Sequence, residues 1–323
     1  MNERPTRRRS QRGPDGTARS GGFTLLELLV VISVLSVLMG VAIGYLGRTD
    51  PQQVANSILE GELRAAELTA RSEGVASEVV LVPGVAGEPS TVSARLLQPV
   101  VTFHLEPREQ VLDESLRPVL GGDDVPTGRF GHARRPRLDD KAPAVRWAAP
   151  PAVVDLSSGF VVRLDLWLDE RTTGTLLQCL PAVEVTLDGD GKPRARFRLH
   201  GQGSGTVLAA VTSELALPVG RWCTLDVGCD GREAWLTLDG RELGRAPAEG
   251  VPQQEPETVC LVAPGEGAFL GMVDEIRWFV FTWSPPQNLP PELQLERPYR
   301  FAFDSRGEAT ARPVVRFVGQ EGT

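Results

Sequence analysis

The alternation of apolar and polar positions divides the chain into unlike stretches. Residues 23–46, FTLLELLVVISVLSVLMGVAIGYL, are apolar around every turn apart from Glu27. They predict one continuous helix; at ~1.5 Å per residue it spans about 36 Å, enough for a hydrocarbon core of ~30 Å. Asp50-Pro51 then supplies an N-cap with proline at the first helical position and Gln53 at the third. Val54, Ile58, Leu59, Leu63 and Ala66 recur at helical spacing to about Ser72. Beyond this the period changes to two. Val162, Leu164, Leu166 and Leu168 alternate with Arg163, Asp165 and Trp167, and Leu236 and Leu238 with Trp235 and Thr237. Asp188-Gly189, Asp190-Gly191, Asp230-Gly231 and Asp239-Gly240 are hairpin-turn dipeptides. Short strands with such turns from about Gln98 to Ser284 predict an all-β sandwich. The proline-rich SPPQNLPPELQLERP (284–298) predicts a stiff, extended linker. After it Tyr299, Phe301 and Phe303 alternate, Asp304 to Gly307 forms a turn, and Val314 to Val318 predicts a final strand.

Charge separates the ends of this pattern. The 323 residues carry a formal −8, but residues 1–22 hold six arginines against Glu3 and Asp15, so the leader is +4 and the rest is −12. Arginines ahead of an apolar helix predict a cytoplasmic N-terminus. The acidic body argues against a general nucleic-acid binder. The apolar run is longer than the ~7–15 residues of a signal-peptide core, and TRRRSQRG lacks the apolar residue a twin-arginine signal needs. Glu27 costs ~2.5–3.5 kcal/mol in a bilayer helix and therefore calls for a partner and a function. The histidines, His104, His132 and His200, are scattered, against a multi-histidine metal centre. Arginine outnumbers lysine 32 to 2, which reads as codon bias before it reads as function.

Gly22-Phe23-Thr24-Leu25-Leu26-Glu27 resembles the processing site of type IV prepilins and pseudopilins. The resemblance implies cleavage between Gly22 and Phe23 by a prepilin peptidase, N-methylation of Phe23, and Glu27 as the assembly residue. LEGELRAAELTARSEGVASEVVLVP (59–83) and YRFAFDSRGEATARPVVRFVG (299–319) are similar to the two ends of an H-type minor pseudopilin of type II secretion. Between them PVVTFHLE (99–106), GRFGHA (128–133), GFVVRLDLWL (159–168), LPVGRWCTLDVGCDGREAWLTLDGREL (217–243) and GMVDEIRWF (271–279) resemble, in order, the laminin-G-like, concanavalin-type jelly rolls. Cys223 and Thr224 stand where that family has one or two histidines after the tryptophan. The implied fold is α+β: a long transmembrane pilin helix packed on a small antiparallel sheet, with an all-β jelly-roll sandwich inserted. The implied division is a leader at 1–22, the membrane helix at 23–48, pilin body at 49–97, the insertion at 98–284, and the last pilin strands at 285–323. A single-pass protein of the bacterial inner membrane is implied, with its body in the periplasm and other pilins or pseudopilins as partners through the helix. A glycan or protein ligand is implied for the jelly roll, either in a secretion pseudopilus or on a type IV pilus as an adhesin.

Catalysis is not expected. Some concanavalin-type sandwiches hydrolyse glycosides with paired carboxylates on one strand, but Asp274 and Glu275 are adjacent and point to opposite faces. A glycan-active enzyme on a pilin stalk is the less favoured alternative. Asp188 and Asp190 are the only candidates for a metal, as the start of a calcium loop; a plain turn is the competing reading, and no cofactor is otherwise expected. Trp235 or Trp283 could stack on a sugar ring, or belong to the core. Cys179, Cys223, Cys229 and Cys260 all lie in the insertion. Cys223 and Cys229 are about 20 Å apart on an unbroken strand, too far to bridge, so a disulfide would join Cys179 or Cys260 to another strand. Four free thiols are the alternative.

Overall fold

In the computed structural model, residues 25–46, 50–85, 87–107, 117–137, 142–148, 154–201, 205–255, 258–264 and 267–319 are described. Helix α1 covers Leu25–Leu46, 22 residues, and the large apolar side chains described between Leu29 and Met39 are each 45–68% exposed. Consecutive residues are exposed alike, so no face of this stretch is set aside for a core. Among the described residues no helix is long and apolar enough to cross a membrane. The α1 side chains outside Leu29–Met39 are not among them.

The chain separates into two compact units, Met1–Gln53 and Val54–Thr323, and every strand lies in the second. Helix α2, Pro51–Glu73, starts where the sequence places its cap: the Gln52 amide donates to Asp50 Oδ1 at 2.9 Å. It ends at Gly74, whose φ of 68° is the left-handed turn that glycine adopts without penalty. Its inner face is built on small residues. Ala55, Ala66 and Ala70 are fully buried, with Ile58, Leu59 and Leu63 packed beside them.

These alanines meet Val79, Leu81, Val92, Ala94, Tyr299, Phe301 and Phe303. The strands concerned, Ser77–Val82, Thr91–Phe103 and Tyr299–Phe303, are neighbours at one end of a 12-stranded sheet. From its far edge that sheet runs Arg241–Pro247, Glu233–Leu238, Trp222–Cys229, Phe160–Leu168, Gly271–Trp283, Thr91–Phe103, Ser77–Val82, Tyr299–Phe303 and Ala309–Ala311. A second sheet of eight strands includes Thr206–Thr212, Pro193–His200, Val183–Leu187, Gly174–Leu180, Val259–Val262 and Val145–Ala148. The two sheets share one large core, in which Trp278 stacks on Phe160 at 5.4 Å and meets Trp147 edge-on at 5.3 Å.

The sandwich and the helix-packed body therefore have separate cores on one unbroken sheet. Thr91–Phe103 serves both: Val92 and Ala94 enter the helix-side core, Leu97 a small junction, and Val101 and Phe103 the sandwich. The expected boundary at 97/98 falls inside this strand. The junction consists of Val75, Leu97, Val161, Trp235, Phe279 and Phe281.

Two local expectations change. The segment 284–298 is more than a linker, because Gln287–Asn288 pairs with Thr91–Val92 and Leu289, Leu293 and Leu295 are buried in the helix-side core. The single strand expected over Val314–Val318 is replaced by Ala309–Ala311, at the sheet edge, and Phe317–Gly319, paired with Leu293–Leu295. Pro313, which has no amide hydrogen to give a ladder, lies between the two. Trp235 is 5% exposed and belongs to the junction, whereas Trp283 is exposed.

Candidate functional site

Two of the turn dipeptides border a cleft lined by charged side chains. Asp230-Gly231 joins Trp222–Cys229 to Glu233–Leu238, with Asp230 Oδ1 accepting the amides of Arg232 and Glu233 at 2.9 and 2.8 Å. Asp239 and Gly240, both at positive φ (50° and 76°), make the next turn in the type I′ form that suits a two-residue hairpin. These hairpins face the Ser77–Val82 and Tyr299–Phe303 strands across a cleft of about 700 Å³.

Glu78 sits in the cleft. Its neighbours Val79 and Leu81 belong to the helix-side core, so alternation turns the carboxylate to the opposite face, where it is only 3% exposed. A buried carboxylate needs partners. Arg232 reaches both oxygens at 3.2 Å, Arg300 pairs with Oε2, and Arg95, opposite Glu78 in register, approaches to 4.0 Å. Burial pushes the Glu78 carboxyl above its ordinary value, against the pull of Arg232 and Arg95. The same burial lowers the Arg95 guanidinium, which is held by the Asp230 carbonyl at 2.7 Å, the Ser158 carbonyl and the Phe281 ring at 4.4 Å. Arg245 covers Trp235 at 5.6 Å and pairs with Glu233 and Glu242 at 2.7 and 2.9 Å. Arg241 and Arg306 also line the cleft, and neither guanidinium meets a carboxylate among the described residues.

A second polar network lies on the outer face of the sandwich. Asp165, fully buried, accepts from Arg129 at 2.7 Å, Thr224 at 2.6 Å and Arg277 at 3.2 Å. Asp274, also fully buried, accepts the amides of Phe130 at 2.9 Å and Glu275 at 2.7 Å. Burial raises its pKa, with those donors opposing. Together they fix the Gly128–Gly131 turn and leave the Phe130 ring 58% exposed. His104 and Glu275 are 2.8 Å apart nearby.

Of the residues singled out in the sequence, the structure brings together Cys179 with Cys260 and, within one turn, Asp188 with Asp190. Gly22 and Phe23 lie outside the described residues; Glu27 is on α1, with its side chain outside them. Asp188 Oδ1 accepts the amides of Asp190 and Lys192, both at 2.9 Å, and Asp190 pairs with Lys192 at 3.3 Å, so this loop is a closed turn. Among the described residues no cluster of three metal-ligating side chains occurs. Cys179 and Cys260, directly opposite on neighbouring strands, form a disulfide; Cys223 and Cys229 are free and buried. Sequence reasoning missed the cleft, whose residues come from parts of the chain up to about 230 positions apart. One signal was present: Glu78 is the only charge in the strand SEVVLV, directly before four apolar residues.

Residues 17–43 match the family described as the prokaryotic N-terminal methylation motif, which starts pilin and pseudopilin subunits. No curated protein sequence matches the chain. Among solved structures it is similar to the binding domain of Paraclostridial Mosquitocidal Protein 1, with 11% identity and a TM-score of 0.45 over 60% of this chain and 50% of that one. Domain 4 of AbnA, a GH43 extracellular arabinanase from Geobacillus stearothermophilus in complex with arabinotriose, gives 17% identity and a TM-score of 0.34 over 53% and 79%. The botulinum neurotoxin serotype G binding domain gives 8% and 0.40 over 60% and 49%. The chain thus spans half the length of the first of these, and likenesses this distant carry no argument about its activity.

Proposed function

We propose that the protein is an H-type-like minor pseudopilin of a type II secretion pseudopilus that displays a lectin-like β-sandwich. The methylation motif over residues 17–43 carries this reading. It is supported by the apolar character of α1, which the motif overlaps, and by a helix-packed body made from residues on both sides of the sandwich in sequence. In this proposal residues 23–46 span the inner membrane with the basic leader in the cytoplasm and the body in the periplasm. A prepilin peptidase cuts after Gly22 and Phe23 is N-methylated. Glu27 then pairs with the methylated amine of Phe23 on a neighbouring subunit, because an unpaired carboxylate among packed helices costs several kcal/mol. The sandwich serves binding of a glycan or protein and has no catalytic role, since its buried acids Asp165 and Asp274 hold the Gly128–Gly131 turn. No cofactor is assigned. A minor type IV pilin acting as an adhesin uses the same residues and differs in its assembly partners.

Glu27→Leu should leave processing and membrane insertion intact but sharply reduce crosslinking to partner pilins. Loss of one member of a desolvated pair typically costs ~3–5 kcal/mol. Gly22→Ala should block processing itself on an immunoblot. Normal assembly of the Glu27→Leu protein would remove the docking role, and an unprocessed wild-type chain would remove the pilin reading.

A further inference from the structure

We propose that the cleft between the body strands and the sandwich hairpins binds an acidic saccharide, a sugar chain carrying carboxylate or sulfate groups. The proposal rests on the reading that the protein displays its sandwich to a ligand, and it names the site and the class of ligand. At about 700 Å³ the cleft is within the ~300–1,000 Å³ of small-ligand sites. Its charge runs against that of the molecule. The chain after residue 22 is −12, yet six arginines line the cleft against five carboxylates.

Those arginines fall into two groups. Arg95, Arg232, Arg300 and Arg245 are engaged by Glu78, Asp230, Glu233 and Glu242, and fix the floor. Arg241 and Arg306 come from opposite sides of the cleft, the first following the Asp239-Gly240 turn and the second within the Asp304–Gly307 turn. Both are exposed and unpaired among the described residues, so their forks are free for an oxyanion. The remaining lining suits a sugar better than an apolar peptide anchor. The Ser305 hydroxyl and the paired carboxylates can exchange hydrogen bonds with ring hydroxyls, and the Thr237 and Thr310 oxygens, whose protons go to Asp226 and the Ala302 carbonyl, can accept them. The large apolar side chain Trp235 is capped by Arg245 and offers no open anchor in the cleft.

The test is calorimetric titration of the full chain in detergent with trigalacturonate, a sulfated trisaccharide, neutral maltotriose and pentaglutamate. One or both acidic sugars should bind, which of them identifying the oxyanion, and affinity should fall as salt rises. Arg241→Gln with Arg306→Gln should weaken that binding at least tenfold while the melting temperature stays put. Four results would overturn the proposal: no binding of either acidic sugar, equal binding of maltotriose, tighter binding of pentaglutamate, or unchanged affinity in the double variant. Processing after Gly22 is read on the same preparations. Its failure with sugar binding intact counts against the pilin reading alone, and the reverse counts against the cleft alone.

Discussion

A charge in an apolar strand and a thiol in an apolar core meet the same desolvation with different outcomes. Glu78 is buried, and the fold brings three guanidiniums to it from Arg95, Arg232 and Arg300. Cys223 and Cys229 form no ion pair, and burial pushes their thiols up to about 12, against weaker pulls from Arg221 and Arg129 on Cys223 and from the Gly231 backbone and Arg95 on Cys229. Cys223 Sγ lies 3.6 Å from the Leu166 carbonyl, where the neutral S–H donates. At pH 8 the thiolate fraction is then about one in ten thousand, and the thiolate is the form that reacts. The native protein should therefore show no thiol titratable with Ellman's reagent at pH 8, the denatured protein two, and the denatured, reduced protein four. Rapid labelling of the native state would contradict the burial. The linkage has a definite sign. A folded-state pKa above the ordinary 9.0 means that the unfolded chain ionises first. The thiol contribution to stability is complete below pH 9 and is lost as pH rises from 9 towards 12.

At the scale of elements, turns are local and registers are not. The Asp-Gly pairs at 230–231 and 239–240 were readable because two adjacent residues set each turn: Asp230 Oδ1 accepts the amides of Arg232 and Glu233, and Asp239 and Gly240 take the positive φ values of a type I′ turn. The inward alternation of Val162, Leu164, Leu166 and Leu168 was readable for the same reason, and all four are fully buried. Nothing local in Thr91–Phe103 states that its partner is Gly271–Trp283, some 180 residues on, so the sheet's passage across the expected boundary was hidden. The cleft was hidden likewise, since Glu78, Arg232 and Arg300 share no spacing. Gly228 shows how close these registers are. It lies opposite Trp235, whose ring covers it, and a Cβ there would come within 2.3 Å of the indole. The ring cannot easily yield, because Phe281 meets it edge-on at 6.4 Å. Gly228→Ala should cost about 1–3 kcal/mol in denaturant unfolding and alter the near-ultraviolet circular dichroism of tryptophan. An unchanged midpoint and spectrum would show that the indole is mobile.

Across the whole molecule, one sheet carries two cores, and the question is whether the smaller can stand without the larger. Its members, from Ala55 on α2 to Phe303, come entirely from outside residues 98–284. What joins it to the sandwich is the pair of long strands and the junction around Leu97 and Phe281. The ladder shows where to cut. The Phe281 amide donates to the Gly159 carbonyl on its other side, so the next pair along, Gln98 and Val280, faces itself through hydrogen bonds. A two-residue type I′ turn closes such a pair, and Asn-Gly supplies the two positive φ values it needs. Replacing residues 99–279 by Asn-Gly, with Val280→Thr and Phe281→Thr to make the newly exposed strand polar, should leave a hairpin that completes the helix-packed sheet. The expected product is monomeric in detergent, resists protease from Pro51 to Phe317, and melts in one cooperative transition. Loop-closure entropy favours it, since the long connection is exchanged for the shortest available. A product that binds hydrophobic dyes and unfolds without a transition would mean that the body depends on the sandwich, and that the chain from Val54 onwards folds as one cooperative unit.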